Sequence, residues 1–224
     1  MASVLRLAVI AAAGVALAIG GHTLAVRWHP APARYPLQGV DLGEQPRRIE
    51  WASIRAAGAD FAYVVATEGT GARDPGFEAN WSALPDAGLR RGAVHLYSLC
   101  EDGAAQADAF NATVPRTADA LPAAVDVDRR DGCDAPPAGA AVIESLRAFL
   151  GRVETHTGKP VILRLSRWAE RRYALSSAFD RPLWLTGNFL RPGYADRAWR
   201  LWRASDMRRV DGVEGPVNWD VVAP

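Results

Sequence analysis

Two carboxylates, Asp126 and Asp128, stand at positions i and i+2 of the segment Leu121-Pro122-Ala123-Ala124-Val125-Asp126-Val127-Asp128. The segment is otherwise apolar and reads as a buried strand. The twofold side-chain period of a strand puts both acids on one face, roughly 6–7 Å apart. Unpaired charge is costly inside a buried strand, so the pair belongs at the strand's C-terminal end, facing a wet cleft. Parallel barrels build their active sites at that end. Like charges at this spacing raise one pKa, giving one protonated acid beside one carboxylate, the combination that acid-catalysed glycoside chemistry uses. On spacing alone, a second reading stands beside it: two strand-end aspartates held in salt bridges by Arg129 and Arg130. Asp41 closes the short strand Gly39-Val40-Asp41-Leu42 in the same way, and Glu68 follows the apolar run 61–67. The tail adds Asn218 and Asp220, again at i and i+2.

The elements that carry these acids alternate. Phe61 to Thr67 is apolar almost throughout, as in strands covered on both faces. Gly92–Tyr97, Ala123–Asp128, Val161–Leu163 and Pro182–Leu185 read as further strands. Helices are expected over Trp51–Ala57 with Gly58 as its stop, from Asp74-Pro75 toward Gly88, over Glu101–Val114, over Trp168–Ser177, and along the apolar face Val142, Leu146, Phe149, Leu150 and Val153 up to Gly158. The last segments, Trp199–Arg203 and Val217–Val221, read as strands without helices between them. Alternation of this kind implies a parallel sheet. The count predicts an α/β fold, an irregular TIM-like (β/α) barrel with β/α units first and bare strands at the C-terminal end.

Of the 224 residues, 49% are hydrophobic and 23% charged, with a formal net charge of +1. That fits one globular domain and supplies no field to attract nucleic acid. Arginine pairs such as Arg171-Arg172 and Arg208-Arg209 read as solvated surface. No nucleotide-binding glycine motif occurs, and no cofactor is implied. His22, His29, His95 and His156 are the only histidines, and two precede the domain, so no His-based metal cluster is expected. Arg6 followed by the apolar run Leu7–Gly20 reads as an export signal, with Ala16-Leu17-Ala18 as a cleavage motif. Extended to Val26 it approaches the roughly 20 residues that span a bilayer, so residues 1–20 fit a signal peptide or a signal anchor and residues 7–26 a membrane anchor. Both readings export the remainder to the periplasm or beyond. Residues 21–38, with Pro30, Pro32 and Pro36, read as an extended linker, and residues 39–224 as the domain. Cys100 and Cys133 lie in polar loops, and an exported chain keeps disulfides. Their pairing would stabilise the fold by roughly 3–4 kcal/mol on the chain-entropy model. Two free thiols are the alternative.

Taken in order, several short pieces are similar to the family 25 glycoside hydrolases, the muramidases or lysozymes: Gly39-Val40-Asp41, Thr67-Glu68-Gly69-Thr70, Asp74-Pro75-x-Phe77-x-x-Asn80-Trp81, Ala87-Gly88-Leu89-x-x-Gly92, His95-x-Tyr97, Gly103-Ala104-Ala105-Gln106-Ala107, Leu121-Pro122, Pro182-Leu183-Trp184 and Trp199-x-x-Trp202. The resemblance runs from about residue 38 to 222. It implies hydrolysis of the β-1,4 bond between N-acetylmuramic acid and N-acetylglucosamine in peptidoglycan, without a metal, with the glycan strand as partner; the chain is expected to act as a monomer. It makes Asp128 the proton donor, with Asp126 and Asp41 stabilising positive charge at the sugar carbon or orienting the acetamido group. Glu68, His95, Tyr97, Trp184, Trp202, Arg203 and Asn218 are the candidate substrate-binding residues. His95 also reads as a structural histidine, Tyr97 and Trp184 as barrel filling, Trp199 and Trp202 as divided between core and cleft, and Trp81 as core. The chain departs from the family pattern at several places. Asp128 replaces a Glu and is one methylene shorter, and Asn218 replaces a carboxylate. Arg203 stands in place of Gln, Leu163-Arg164 lack the usual aromatic, and Val94 replaces a Tyr. These departures keep a second expectation open, a glycan-binding relative with weakened or lost catalysis.

Overall fold

The computed structural model describes residues 2–43, 49–130, 133 and 135–224. Eight strands close into a barrel. β1 (Gln38–Leu42) pairs in parallel with β2 (Phe61–Glu68), which runs parallel to β4 (Arg90–Leu96) and carries the two-residue β3 (Ala72–Arg73) on its edge. The parallel order continues through β5 (Ala124–Val127), β6 (Ile162–Leu165), β7 (Leu183–Thr186) and β8 (Leu201–Arg209). β9 (Pro216–Val222) returns antiparallel to β8 and closes the ring against β1, also antiparallel. A long strand folding straight back needs no helix between, which is why the tail carries bare strands.

The helices are α1 (Ala2–Arg27), α2 (Trp51–Ala56), α3 (Phe77–Asp86), α4 (Gly103–Thr113), α5 (Gly139–Thr157), α6 (Arg167–Tyr173) and α7 (Leu175–Ala178). The Asp102 side chain caps α4 by accepting from Ala105 N at 2.8 Å, and Gly158 ends α5 in the left-handed region at φ +70°. Asp74 does not cap α3 as the sequence implies. Its Oδ1 accepts from Gly76 N two residues on, in a turn, and the helix starts only at Phe77. The stretch 21–38 also differs from an extended linker. α1 runs on to Arg27, and the segment after it packs on the barrel, where Gln38 Nε2 donates to the carbonyls of Pro30 and Tyr35.

Side chains divide by strand parity into two cores. Phe61, Tyr63, Val65, Val94, Leu96, Ala124, Ile162, Trp184 and Leu201 fill the barrel. The outward residues pack under the helices, with Phe110 of α4 and Phe149 of α5 fully buried. Two glycines make the interior fit. A Cβ at Gly39 would collide with the Phe61 carbonyl and ring, and one at Gly92 with the Tyr63 ring. Cys100 and Cys133 form a disulfide that ties the loop after β5 to the loop after β4.

Candidate active site

β1, β5 and β6 deliver three charged side chains to the C-terminal mouth of the barrel. Asp41, Asp126 and Arg164 are aligned there because β1, β5 and β6 all run in the same direction. Arg164 stands at the centre. Its Nη1 donates to Asp41 Oδ1 at 2.9 Å and its Nε to Asp126 Oδ1 at 2.8 Å, while its guanidinium lies 5.0 Å from the ring centroid of Trp184 below. Asp41 also accepts from Arg203 Nε at 2.8 Å, Arg203 Nη2 at 2.6 Å and Asn218 Nδ2 at 3.0 Å. Arg130 donates to Asp126 Oδ2. The arginine bond that the salt-bridge reading assigned to this pair is thus made by Asp126 with Arg130.

Burial alone would raise the pKa of Asp41, but Arg203 and Arg164 outweigh it and hold the group below the usual carboxylate range. Asp126 behaves alike: burial opposes ionisation, and Arg164 and Arg130 overcome it. The raised acid expected from the i, i+2 pair is therefore not Asp126. A raised acid occurs outside that pair: Asp220, fully buried, is pushed well above the normal value by burial and by the neighbouring Asp41 carboxylate. Its Oδ1 accepts from Trp184 Nε1 at 2.9 Å, while Oδ2 has no hydrogen-bond partner among the described residues. A neutral acid suits that place, because it carries a donor of its own. The unfolded chain releases this proton near pH 3.8 and the folded chain keeps it, so stability falls as pH rises above that point. Asp220→Asn removes the titration while leaving an amide of the same shape. Calorimetry across pH should show the variant melting higher than the parent near neutrality, with the gain gone at about pH 3.

Asp128 lies one residue beyond β5, partly exposed, and its Oδ1 accepts from the adjacent Arg129 N at 2.7 Å. No side-chain hydrogen bond to it occurs among the described residues. Two hollows of about 260 Å³ each open at this mouth. Asp41, Asn218, Asp74, Asn80 and Asp206 face one, and Glu68, Thr70, Glu101 and Arg130 face the other. Asp128 lines neither.

Four candidates from the sequence sit elsewhere. His95 is fully buried and stacks on Phe149 at 4.7 Å beneath the helices, since Val94 and Leu96 on either side point into the barrel. The Gln106 carbonyl oxygen accepts from its Nε2 at 3.0 Å, so Nδ1 accepts from Thr67 Oγ1 at 2.8 Å. Tyr97 faces the same outer layer and hydrogen-bonds Ser145 Oγ at 2.8 Å. Trp202 is likewise outward, donating to the Gly187 carbonyl at 2.7 Å. Trp184 points inward but is fully buried under Arg164, so its face is closed to a sugar. Arg208, expected on the surface, is also buried, its guanidinium 3.5 Å from the Trp219 ring centroid. Burial lowers its pKa to about 10.

Burial also lowers the pKa of His95 to about 4. The unfolded chain takes up that proton near pH 6.5 while the folded chain refuses it, so stability is lost as pH falls from 6.5 toward 4. His95→Gln should flatten the melting curve over that window and leave sedimentation with peptidoglycan unchanged. Reduced sedimentation would return His95 to the cleft.

Sequence reasoning passed over Arg164 as a central residue and missed Tyr194 altogether. Tyr194 donates to the Leu165 carbonyl at 2.7 Å and accepts from Thr186 N at 2.9 Å, so it bridges the ends of β6 and β7. Burial raises its pKa, and the charge of Asp128 adds to the rise.

The sequence model of Glycosyl hydrolases family 25 matches residues 40–213. The uncharacterized protein YegX of Escherichia coli is 34% identical over 197 residues, covering 85% of this chain and 71% of that one. Lysozyme M1 of Streptomyces globisporus is 29% identical over 202 residues, covering 81% of this chain and 66% of that protein. The structure of a family 25 glycosyl hydrolase from Bacillus anthracis superposes with a TM-score of 0.80 at 29% identity, over 88% of this chain and 93% of that one.

Proposed function

Because the chain belongs to glycosyl hydrolases family 25, we propose that it hydrolyses peptidoglycan between N-acetylmuramic acid and N-acetylglucosamine, as an exported muramidase with Asp128 as proton donor. One observation carries this reading. Asp128 is a carboxyl at the barrel mouth, partly exposed and without a side-chain hydrogen bond among the described residues, two residues beyond Asp126 on the same strand line. A proton donor must reach the glycosidic oxygen and exchange protons with water between turnovers, and Asp128 has that access.

Asp126 and Asp41 would help by placing negative charge near the sugar carbon as it becomes positive. Each already neutralises an arginine, and Asp41 is only 2% exposed. Their field at the reacting carbon is therefore largely offset, so hydrolysis is expected to be slow. Glu68, Asn218 and Arg203 stand around the mouth where a glycan would lie.

A second reading is favoured by those same ion pairs: a domain that binds glycan strands without cutting them. Arg164 and Arg203 are both departures from the family pattern, and both converge on Asp41. The two readings separate in a single digest. Purified chain incubated with peptidoglycan should release fragments whose mass and reduction chemistry place the new reducing end on muramic acid. Sedimentation with peptidoglycan without any such fragment would replace the hydrolase by the binder.

A further inference from the structure

We propose that the face around the end of α1 is a membrane-interface platform that seats the barrel on the bilayer into which α1 inserts. This is independent of whether the site hydrolyses glycan. Residues Val9–Arg27 of α1 are long and apolar enough to cross a membrane, and none of that window is buried. Immediately after it come half-buried Trp28 and, from the turn and loop after β7, exposed Phe189 and Leu190 and half-buried Trp199, with the buried rings of Tyr35 and Trp202 behind them and arginines at the rim. Trp28 packs edge-on against Phe189 at 5.2 Å and lies 6.4 Å from Trp202. Tyr35 and Trp199 extend the cluster, each 5.9 Å from Trp202.

Two exposed arginines rim it. Arg34 lies 5.7 Å from the Tyr35 ring and Arg191 5.6 Å from the Trp199 ring. Aromatic belts sit at headgroup depth, and arginines lay their stems on apolar surface while the charged ends reach anionic headgroups.

The apolar exposure is confined to this neighbourhood. Outside α1, the exposed large hydrophobic residues among those described are Leu37, Phe189 and Leu190. Leu37 lies in the segment joining α1 to β1. Leu190, 77% exposed, projects from the turn that sets Phe189 against Trp28. That turn holds Phe189 at φ +65°, a region that non-glycine residues enter at a cost. The strain is spent on turning two large apolar side chains outward beside the end of a membrane-length helix. A soluble surface gains nothing from that, whereas a bilayer interface absorbs both. The partner is therefore lipid, with anionic headgroups for the arginine rim.

The test uses the full chain with α1, reconstituted into vesicles of phosphatidylethanolamine and phosphatidylglycerol. A nitroxide is placed on Leu190→Cys, with Val15→Cys in α1 and Ala79→Cys on the exposed side of α3 as references. Accessibility to oxygen and to a water-soluble nickel chelate is then compared by power saturation. The expected result is a label at 190 with more oxygen and less nickel access than at 79, approaching the label at 15. A label at 190 matching 79 overturns the platform. A label at 190 shielded from both reagents overturns it as well and points to a second copy or another protein on that face. An aqueous label at 15 removes the membrane altogether. Vesicles of phosphatidylcholine alone should lessen the immersion at 190 without changing that at 15.

Discussion

Replacing Arg164 with methionine is expected to destabilise the barrel by about 3 kcal/mol, the lower end of what removing one partner from a buried ion pair costs. The arginine is 5% exposed and pairs with two carboxylates, Asp41 at 2% and Asp126 at 14% side-chain exposure. Burial disfavours its charge, but Asp126 and Asp41 more than restore it, and its pKa rises above the usual value. Removing it strands negative charge, though Arg203 still holds Asp41 and Arg130 still holds Asp126, which is why the low end applies. For a domain of this size the melting temperature should drop by roughly 6–12 °C. The deficit should shrink toward acid pH, because carboxylates that lose their cation bind protons more readily and protonation relieves the stranded charge. Adding Asp126→Asn to Arg164→Met should recover part of the loss. A drop below about 1 kcal/mol by denaturant titration would mean that the ion pair is dispensable.

The barrel was legible because its strands are short apolar runs at regular intervals, and apolar runs of this kind mark strands buried on both faces. The same property hid the orientation of the side chains. In β4 both faces are covered, so Val94, His95, Leu96 and Tyr97 show no polar alternation to say which of them looks inward. Once Val94 and Leu96 are seen inside, His95 and Tyr97 must lie under the helices. One exclusion was available without coordinates. Trp202 and Arg203 are neighbours in a strand, and only one of them can reach the mouth; in the structure the bond from Arg203 to Asp41 shows which. Trp184 has the right parity but the wrong height, since Arg164 covers it.

The carboxylates were found because acids at apolar strand ends need a reason to be there. Their partners were harder to see. Arg164 shows in sequence only as a missing aromatic, and nothing local says that it reaches across to β1. Asp220 shows as half of an i, i+2 pair with Asn218. The two differ in depth: Asn218 meets Asp41 at the mouth, while Asp220 lies against Trp184. The sequence left the end of the apolar run open between Gly20 and Val26, because His22 and Thr23 interrupt it; glycine costs a helix only about 1 kcal/mol, and the helix continues to Arg27.

Lengthening the acid at position 128 is expected to raise hydrolysis on the order of 100-fold, the scale on which a misplacement of about 1 Å costs rate. Asp128 stands beyond the end of β5 with its carboxyl oxygen hydrogen-bonded only to the next backbone amide. The side chain therefore has room to extend, and Asp128→Glu moves the carboxyl outward without displacing a partner. The gain should appear in kcat, with KM nearly constant, because the donor acts in the transition state and not in holding the glycan. Asp128→Asn should abolish release of muramic-acid reducing ends while sedimentation with peptidoglycan persists. The ion pairs set a ceiling on the gain. Arg164 still offsets Asp41 and Asp126, so a Glu at 128 works without their full field. If the parent and Asp128→Glu both fail to cut, the double change Asp128→Glu with Asn218→Asp tests whether a second carboxylate at the mouth is what is lacking. Hydrolysis by the double variant alone would identify a glycan binder whose catalysis was lost at those two positions. Undiminished cutting by Asp128→Asn would take the proton donor away from residue 128 and leave the family's chemistry to be sought at another carboxyl of the mouth, with Glu68 the first to examine.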